Sequence, residues 1–195
     1  MDTPRELSSI NNITVSGRIG SGATTLAEHL ARTLGWEMFN GGGLFRKLSA
    51  EMGLDINNSN SRPDHFDLEY EERVKKMLRE GRHHVIQSHL AGYDAQGIDG
   101  VFKILVVCED AEGNDKMDIR IDRLVNRDKK SVEDAKEEVI RREREHTEKF
   151  RRLYAKGDPN WFYWNKDYYD LIVNTYSHNQ EESLKVVLQA LSGLA

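Results

Sequence analysis

Apolar residues come in short blocks along this chain, and the spacing within each block predicts the element it forms. Ile13-Thr14-Val15 reads as a short strand. Leu26, Ala27, Leu30, Ala31 and Leu34 then share one helical face, which Gly35 ends. Trp36 to Phe39 reads as a second strand, and Gly41-Gly42-Gly43 opens a helix carrying Leu44, Phe45, Leu48 and Met52. Residues 53–63, rich in Asn and Ser, predict a loop, and Pro63 precedes a long helix with Phe66, Tyr70, Val74 and Leu78 at helical spacing. Strands follow at His84–Gln87 and Val101–Cys108, the second apolar on both faces as a buried parallel strand should be. A last strand at Leu171–Val173 leads to an amphipathic helix over Ser177–Leu191, and residues 1–11 read as a polar tail. Strand and helix alternate, which predicts an α/β domain: a parallel β-sheet flanked by helices, with right-handed crossovers.

Composition narrows this picture without changing it. A chain of 195 residues with 38% hydrophobic content can bury one core of ordinary size, so a single domain over 1–195 is expected. The net charge of -5 argues against general nucleic-acid binding. One cysteine, Cys108, excludes a disulfide framework and reads as a small buried residue in a reducing compartment. No apolar run approaches the roughly 18 residues of a membrane span, so a cytoplasmic protein without membrane contact is expected.

The chemistry concentrates between the first strand and the first helix. Gly17, four residues, Gly22, Ala23 and Thr24 have the spacing of a phosphate-binding loop in which alanine stands where lysine is usual. Glycines let backbone N–H groups turn inward around a polyphosphate, and the new helix offers its unsatisfied N–H groups and positive dipole end to the same anion. The candidate nucleotide-binding residues are therefore Gly17, Arg18, Gly20, Ser21, Gly22, Ala23, Thr24 and Thr25. Thr24 is placed to put a hydroxyl on a phosphate-bound Mg²⁺. Arg18, inside the loop, either folds back over the phosphates in place of the lysine or points to solvent beside acids.

A second concentration of charge lies at 116–156, which holds fourteen of the 28 Lys and Arg residues. Met117, Ile121, Leu124 and Val125 form an apolar stripe, with Arg120, Arg123 and Arg127 along a neighbouring edge. Ser131, with Asp134 three residues on, caps a second helix that carries Arg141, Arg142 and Arg144. These arginines form either a solvated helix edge or a two-helix lid that brings guanidinium groups over a transferring phosphoryl group. Trp161-Phe162-Tyr163-Trp164, just beyond, is a loop pinned on the sheet, a stacking surface for a base, or a subunit contact. Asp94 and Asp99, in the glycine-rich loop after the third strand, read as exposed turn residues or as helpers to a metal or a substrate hydroxyl, and no Cys/His set suggests zinc.

Several of these stretches together carry a resemblance. The Gly17–Thr25 loop, Gly42-Gly43-Leu44-Phe45-Arg46, Val85-Ile86-Gln87-Ser88-His89-Leu90-Ala91, Arg120 to Arg127, Arg142-Glu143 and Tyr169 to Thr175 resemble, in order, a cytidylate kinase of the compact archaeal type. The resemblance covers about 12–192. It implies the fold of P-loop NTPases of the nucleoside-monophosphate kinase group, with a core (12–50, 83–115, 168–195), an acceptor-binding helical region (about 41–82) and a helical lid (about 116–156). It also implies transfer of the ATP γ-phosphoryl group to CMP or dCMP with Mg²⁺. Arg46, Gln87, Ser88 and His89 would then face the acceptor, and Arg123, Arg127 and Arg142 would be catalytic lid arginines.

Three positions depart from the pattern that the resemblance implies. Ala23 replaces the loop lysine, Gly43 an aspartate, and Gln87-Ser88-His89 an Asp-Gly-Arg sequence. Losing one preorganised phosphate donor commonly costs roughly 10²- to 10³-fold in rate. Two functional classes follow: a cytidylate kinase-like phosphotransferase with an altered site, acting on a nucleoside monophosphate or a related small phosphorylated or hydroxyl acceptor, or a nucleotide-binding pseudokinase without turnover. His89 could still donate to an acceptor phosphate, especially when protonated near its usual pKa of about 6.5.

Overall fold

The computed structural model describes residues 4–51 and 63–194. Met52, all of the expected 53–63 loop but Pro63, and the side chains of Leu44, Arg46 and Leu48 lie outside the described residues. Among the described residues five strands, β1 (Asn12–Gly17), β2 (Glu37–Asn40), β3 (His84–Gln87), β4 (Val101–Val107) and β5 (Leu171–Asn174), form one sheet in the order β2-β3-β1-β4-β5. Every neighbouring pair is parallel. All six β1 residues are buried, because helices cover both faces of the central strand. The carboxyl ends of β1 and β3 lie side by side, with Val15 registered on Gln87, while Gly17 pairs with Val106 of β4. That edge is where ligands of open parallel sheets bind.

Among the described residues seven α-helices surround the sheet: α1 (Ala23–Leu34), α2 (Gly41–Glu51), α3 (Asp64–Glu80), α4 (Ala91–Asp94), α5 (Met117–Asp128), α6 (Val132–Tyr154) and α7 (Gln180–Ser192). One face of the sheet packs Ile13, Val15 and Ile104 against Leu26, Leu30 and Val187 of α1 and α7. The other packs Ile86 against Tyr70, Val74 and Leu78 of α3. Gly35 ends α1 in the left-handed region at φ 66°, where its N–H reaches the Ala31 carbonyl. Ser131 Oγ accepts from Asp134 N and starts α6, as the sequence predicts. Asn40 does the same for α2, its Oδ1 taking the Gly43 N–H at 2.9 Å.

The expected polar tail over 1–11 is not one in its described part, residues 4–11: Leu7 and Ile10 are buried in the α1/α7 core, the Arg5 N–H donates to the Leu34 carbonyl, and the Arg5 carbonyl accepts from the Trp36 indole. Isolated apolar residues in a polar stretch have no period, so their burial rests on tertiary packing alone. Asp94 is not an exposed turn residue, because the short helix α4 turns it under α3, where it is 4% exposed, lies beside Glu71 and has Lys75 Nζ 3.7 Å away. Burial, and then the Asp94 charge, hold the Glu71 carboxyl well above its usual range.

The aromatic stretch does not lie on the sheet. Trp161 and Tyr163 are buried against Leu90 and Phe150, with Tyr93 edge-on to Trp161 at 5.2 Å.

Candidate active site

A cavity of about 1080 Å³ opens along the carboxyl ends of β1 and β3. It is slightly larger than the usual range for small-molecule sites, about 300–1,000 Å³. Gly17 through Leu26 line one end of it, and Phe45, Tyr70, Gln87, Ser88, His146 and Phe150 line the other.

The loop from Gly17 to Gly22 owes its path to glycine. Gly20 and Gly22 have φ of 78° and 97°, left-handed values that a side chain strains. A Cβ on Gly17 would sit 2.4 Å from Ser21 Oγ and 2.8 Å from the Val106 carbonyl. No side chain caps α1, so the first N–H groups of this helix have neither a carbonyl nor a cap to bond. Among the described residues neither Ser21 Oγ nor Ser88 Oγ has a hydrogen-bond partner, and both side chains are buried on the cavity wall. Unpaired donors around a solvent-filled space suit a polar, anionic ligand. Ala23 is 6% exposed and packs into the core beside Gly17. Thr24 Oγ1 lies 3.2 Å from Gln87 Oε1 and donates to it, which leaves the hydroxyl lone pairs for a cation. No group of three or more His, Cys, Asp or Glu side chains among the described residues could hold a metal ion. The Thr24 hydroxyl is the kind of oxygen ligand that a phosphate-bound divalent ion takes.

Arg18 does not fold over the loop. Its Nε and Nη2 donate to Glu143 at 3.2 and 2.6 Å, its Nη1 is 3.2 Å from Asp115, and its guanidinium lies 4.7 Å over the Trp164 ring. Arg120 is not on a solvated edge, since its side chain is fully buried. It donates to Ile19 O at 2.5 Å, Glu143 at 2.7 Å and Asp115 at 2.8 Å. Burial alone would raise the Glu143 carboxyl, but bonds from Arg18 and Arg120 hold it below its usual range. Ile19 adds an apolar tie, buried with Ile121, Leu124, Ala135 and Val139 between α5 and α6. The loop and this helix pair are thus joined by two arginines, two carboxylates and one apolar side chain.

Arg123, Arg127 and Arg142 line the same cavity but do not meet at a point. Arg123 bonds Thr175 Oγ1 and O, each at 2.8 Å, and the Ser21 carbonyl at 3.2 Å, so it clamps the loop to the end of β5. Arg127 is mostly exposed and paired with Asp128, and Arg142 bonds Glu138 at 2.8 Å.

On the acceptor side, His89 cannot act as a protonated donor near neutral pH. Burial, and then the Arg142 charge, push its imidazole down to about 4. Its Nδ1 donates to the Gly17 carbonyl at 3.0 Å, and its ring lies against His146 and Tyr163. Asp67 of α3 lines the cavity and is paired with Lys149 of α6, both buried. The Arg46 side chain lies outside the described residues. Sequence reasoning missed the Glu143–Asp115–Arg120 cluster, Thr175 and His146. Their partners are more than twenty residues away or lie on loops without period, and only the surplus of Arg in 116–156 signalled them.

Known proteins resemble the chain in sequence and in fold. A curated cytidylate kinase of Haloarcula marismortui is 31% identical over 92% of this chain and 88% of its own length. One from Saccharolobus islandicus is 28% identical over 94% and 92%. A shikimate kinase from Acinetobacter baumannii, solved with shikimate, superposes with a TM-score of 0.55 over 94% of each chain at 15% identity, a likeness of fold alone. Residues 12–177 match the model of the cytidylate kinase-like family, so the chain belongs to that family and has the P-loop kinase fold its loop and sheet order indicate.

Proposed function

We propose that this protein is an ATP-dependent phosphotransferase of the nucleoside-monophosphate kinase type, acting on a small acceptor with an altered set of phosphate contacts. The observation that carries this is one cavity with two unlike ends. A backbone cradle with unpaired N–H groups faces a wall of aromatic, polar and charged side chains, among them Phe45, Tyr70, Gln87 and Asp67, across the β1/β3 carboxyl edge. That is room for a triphosphate donor and an acceptor in line. Curated relatives are named cytidylate kinases, which supports a nucleotide-sized acceptor. Residues Gly20 to Thr25 would hold the donor polyphosphate through backbone N–H groups. Thr24 would offer its hydroxyl to Mg²⁺ riding on that polyphosphate, which neutralises charge during transfer.

The α5–α6 pair and its connections, about 116–156, would serve as the lid over the donor, with the 41–82 helical region beneath the acceptor. Arg123 would set the height of the lid on the loop, because its guanidinium joins Ser21 to Thr175. Arg127 and Arg142 would exchange Asp128 and Glu138 for phosphate oxygens when substrate enters; the largely exposed Arg127–Asp128 pair is worth about 0–1 kcal/mol, and the half-buried Arg142–Glu138 pair is replaced by a charge-assisted bond of the same kind.

Ala23 supports a second reading, a nucleotide-binding module without turnover. One experiment separates the two. Melting is recorded with ATP, ADP, GTP, CTP and CMP, with and without Mg²⁺, and ADP release is followed for each acceptor. A raised melting temperature with triphosphate and acceptor-dependent ADP release support the kinase. A raised melting temperature without release supports the module, and no shift by any nucleotide at millimolar concentration contradicts both.

A further inference from the structure

A second helix starts on the same cavity. Asn40, Gly41 and Gly42, where β2 runs into α2, line it together with Tyr70 and Ser88. Asn40 Oδ1 takes the Gly43 N–H at 2.9 Å, while the Gly42 N–H, in the first turn, has no carbonyl within the helix to bond. The start of this eleven-residue helix also presents the positive end of its dipole. Two side chains add donors there. A Cβ on Gly41 would sit 2.6 Å from Tyr70 Oη, 2.6 Å from Ser88 Cβ and 2.9 Å from the Gln87 carbonyl, so only glycine lets α2 begin this close to α3 and the end of β3. Tyr70 is 5% exposed and Ser88 9%. Ser88 Oγ has no hydrogen-bond partner among the described residues, and none of them bonds Tyr70 Oη. Burial pushes the Tyr70 phenol above its usual range, so it stays protonated and is a donor. Buried polar groups are as a rule paired, and two unpaired hydroxyls beside a helix N-terminus point to a ligand that accepts from all three.

We propose that the start of α2, with the Tyr70 and Ser88 hydroxyls, is a second anion site, which binds the phosphate of a nucleoside monophosphate acceptor through uncharged donors. This rests on the phosphotransferase reading above and names the groups that hold the acceptor. The topology suits the task. α2 follows β2, Ser88 follows β3 and the phosphate loop follows β1, and these three strands are neighbours in the sheet. At a strand spacing of about 4.7–4.9 Å, the two anion sites stand on the order of 10 Å apart across β3. A γ-phosphate and an acceptor phosphate fill that interval in line. Phe45, edge-on to Tyr70 at 5.3 Å, lines the cavity beside the site and is an apolar neighbour for the nucleoside. A phosphate dianion attacks with an oxygen that carries no proton, so this end needs donors that hold it and no base. That oxygen bonds the γ-phosphorus, the bond from the γ-phosphorus to the β–γ bridging oxygen breaks, and a nucleoside diphosphate and ADP result.

Calorimetric titration of the full-length protein tests this, with CMP, UMP, AMP, GMP, their nucleosides, inorganic phosphate and ATP·Mg²⁺, in wild type and in Tyr70→Phe, Ser88→Ala and Gly22→Ala. At least one monophosphate is expected to bind, with its nucleoside and inorganic phosphate weaker by about tenfold or more. Tyr70→Phe and Ser88→Ala should each weaken that monophosphate by about tenfold or more and leave ATP within about twofold, because each removes one bond to a charged group. Gly22→Ala should do the reverse. Monophosphate affinity that falls in Gly22→Ala and is unchanged in both hydroxyl variants puts the phosphate on the loop and overturns the proposal. Binding of none of the four monophosphates at millimolar concentration overturns it too, as does inorganic phosphate bound as tightly as the nucleotides. A monophosphate held through the two hydroxyls, with no ADP released from ATP in its presence, supports the anion site and overturns the kinase reading. Ser88→Ala, which removes one atom from the end of a strand, decides the matter where Tyr70→Phe fails to fold.

Discussion

Arg120→Met removes the cation at the junction of loop and helix pair while keeping much of the apolar stem. The side chain is fully buried and donates to the Ile19 carbonyl, Glu143 and Asp115. Breaking a buried ion pair by deleting one partner costs about 3–5 kcal/mol, since the remaining charge is left uncompensated. Here Arg18 still reaches both carboxylates, at 2.6 and 3.2 Å, so the low end applies, about 3 kcal/mol. For a chain of this length that lowers the melting temperature by about 6–12 °C. The loop should suffer more than the fold, because Arg120 holds the Ile19 carbonyl between two glycine-flanked turns. Urea unfolding gives the stability change, and ATP titration by calorimetry reports the loop. The double variant Arg120→Met with Glu143→Gln should cost less than the sum of the singles by about 0.5–3 kcal/mol, because the two groups share bonds. A loss under 1 kcal/mol with unchanged ATP affinity would refute the view that this cluster sets the loop.

Gly22→Ala places a side chain at φ 97° and should cost about 1–3 kcal/mol while weakening ATP at least tenfold; urea unfolding and calorimetry check both. Ala23→Lys introduces a long cation at a 6% exposed position beside Gly17, so native nucleotide binding should fall and CMP phosphorylation should not emerge in a coupled ADP-release assay. His89 should shape the acid side of the stability profile. Its folded pKa of about 4 lies below the unfolded value of about 6.5, so the unfolded chain binds more protons between them. Stability therefore declines as pH falls from about 6.5 to 4, by up to about 3 kcal/mol, and His89→Gln should flatten that slope in urea titrations at fixed pH steps.

Much of the fold is legible in the sequence because it is local or periodic. The β1–loop–α1 unit announces itself through an apolar triplet, three glycines and a 3.6-residue stripe, and Gly35, Pro63 and Ser131 mark helix ends by mechanisms that act within a few residues. Burial of polar groups is not legible in that way. Arg120 sits at a position that periodicity assigns to a helix edge, and Glu143 on the next helix, with Asp115 and the Ile19 carbonyl, makes its burial tolerable. Asp94 is buried because α4, a single turn without a hydrophobic period, tucks it under α3. His89 reads as a weak phosphate donor in sequence, and its bond to Gly17, 72 residues away, makes it an acceptor. The candidate site is thus half visible: the donor loop follows from spacing, while the wiring of arginines and the character of the acceptor end depend on partners distant in sequence.

The central claim is that a backbone cradle without its lysine binds a polyphosphate, and calorimetric titration with ATP·Mg²⁺ and with adenosine tests it most directly. The account predicts a saturable heat for ATP and affinity for adenosine at least tenfold weaker, because the unpaired N–H groups at the start of α1 and the left-handed glycines at 20 and 22 address the phosphates. Equal affinity for the two ligands, or no heat from ATP at millimolar concentration, would contradict it.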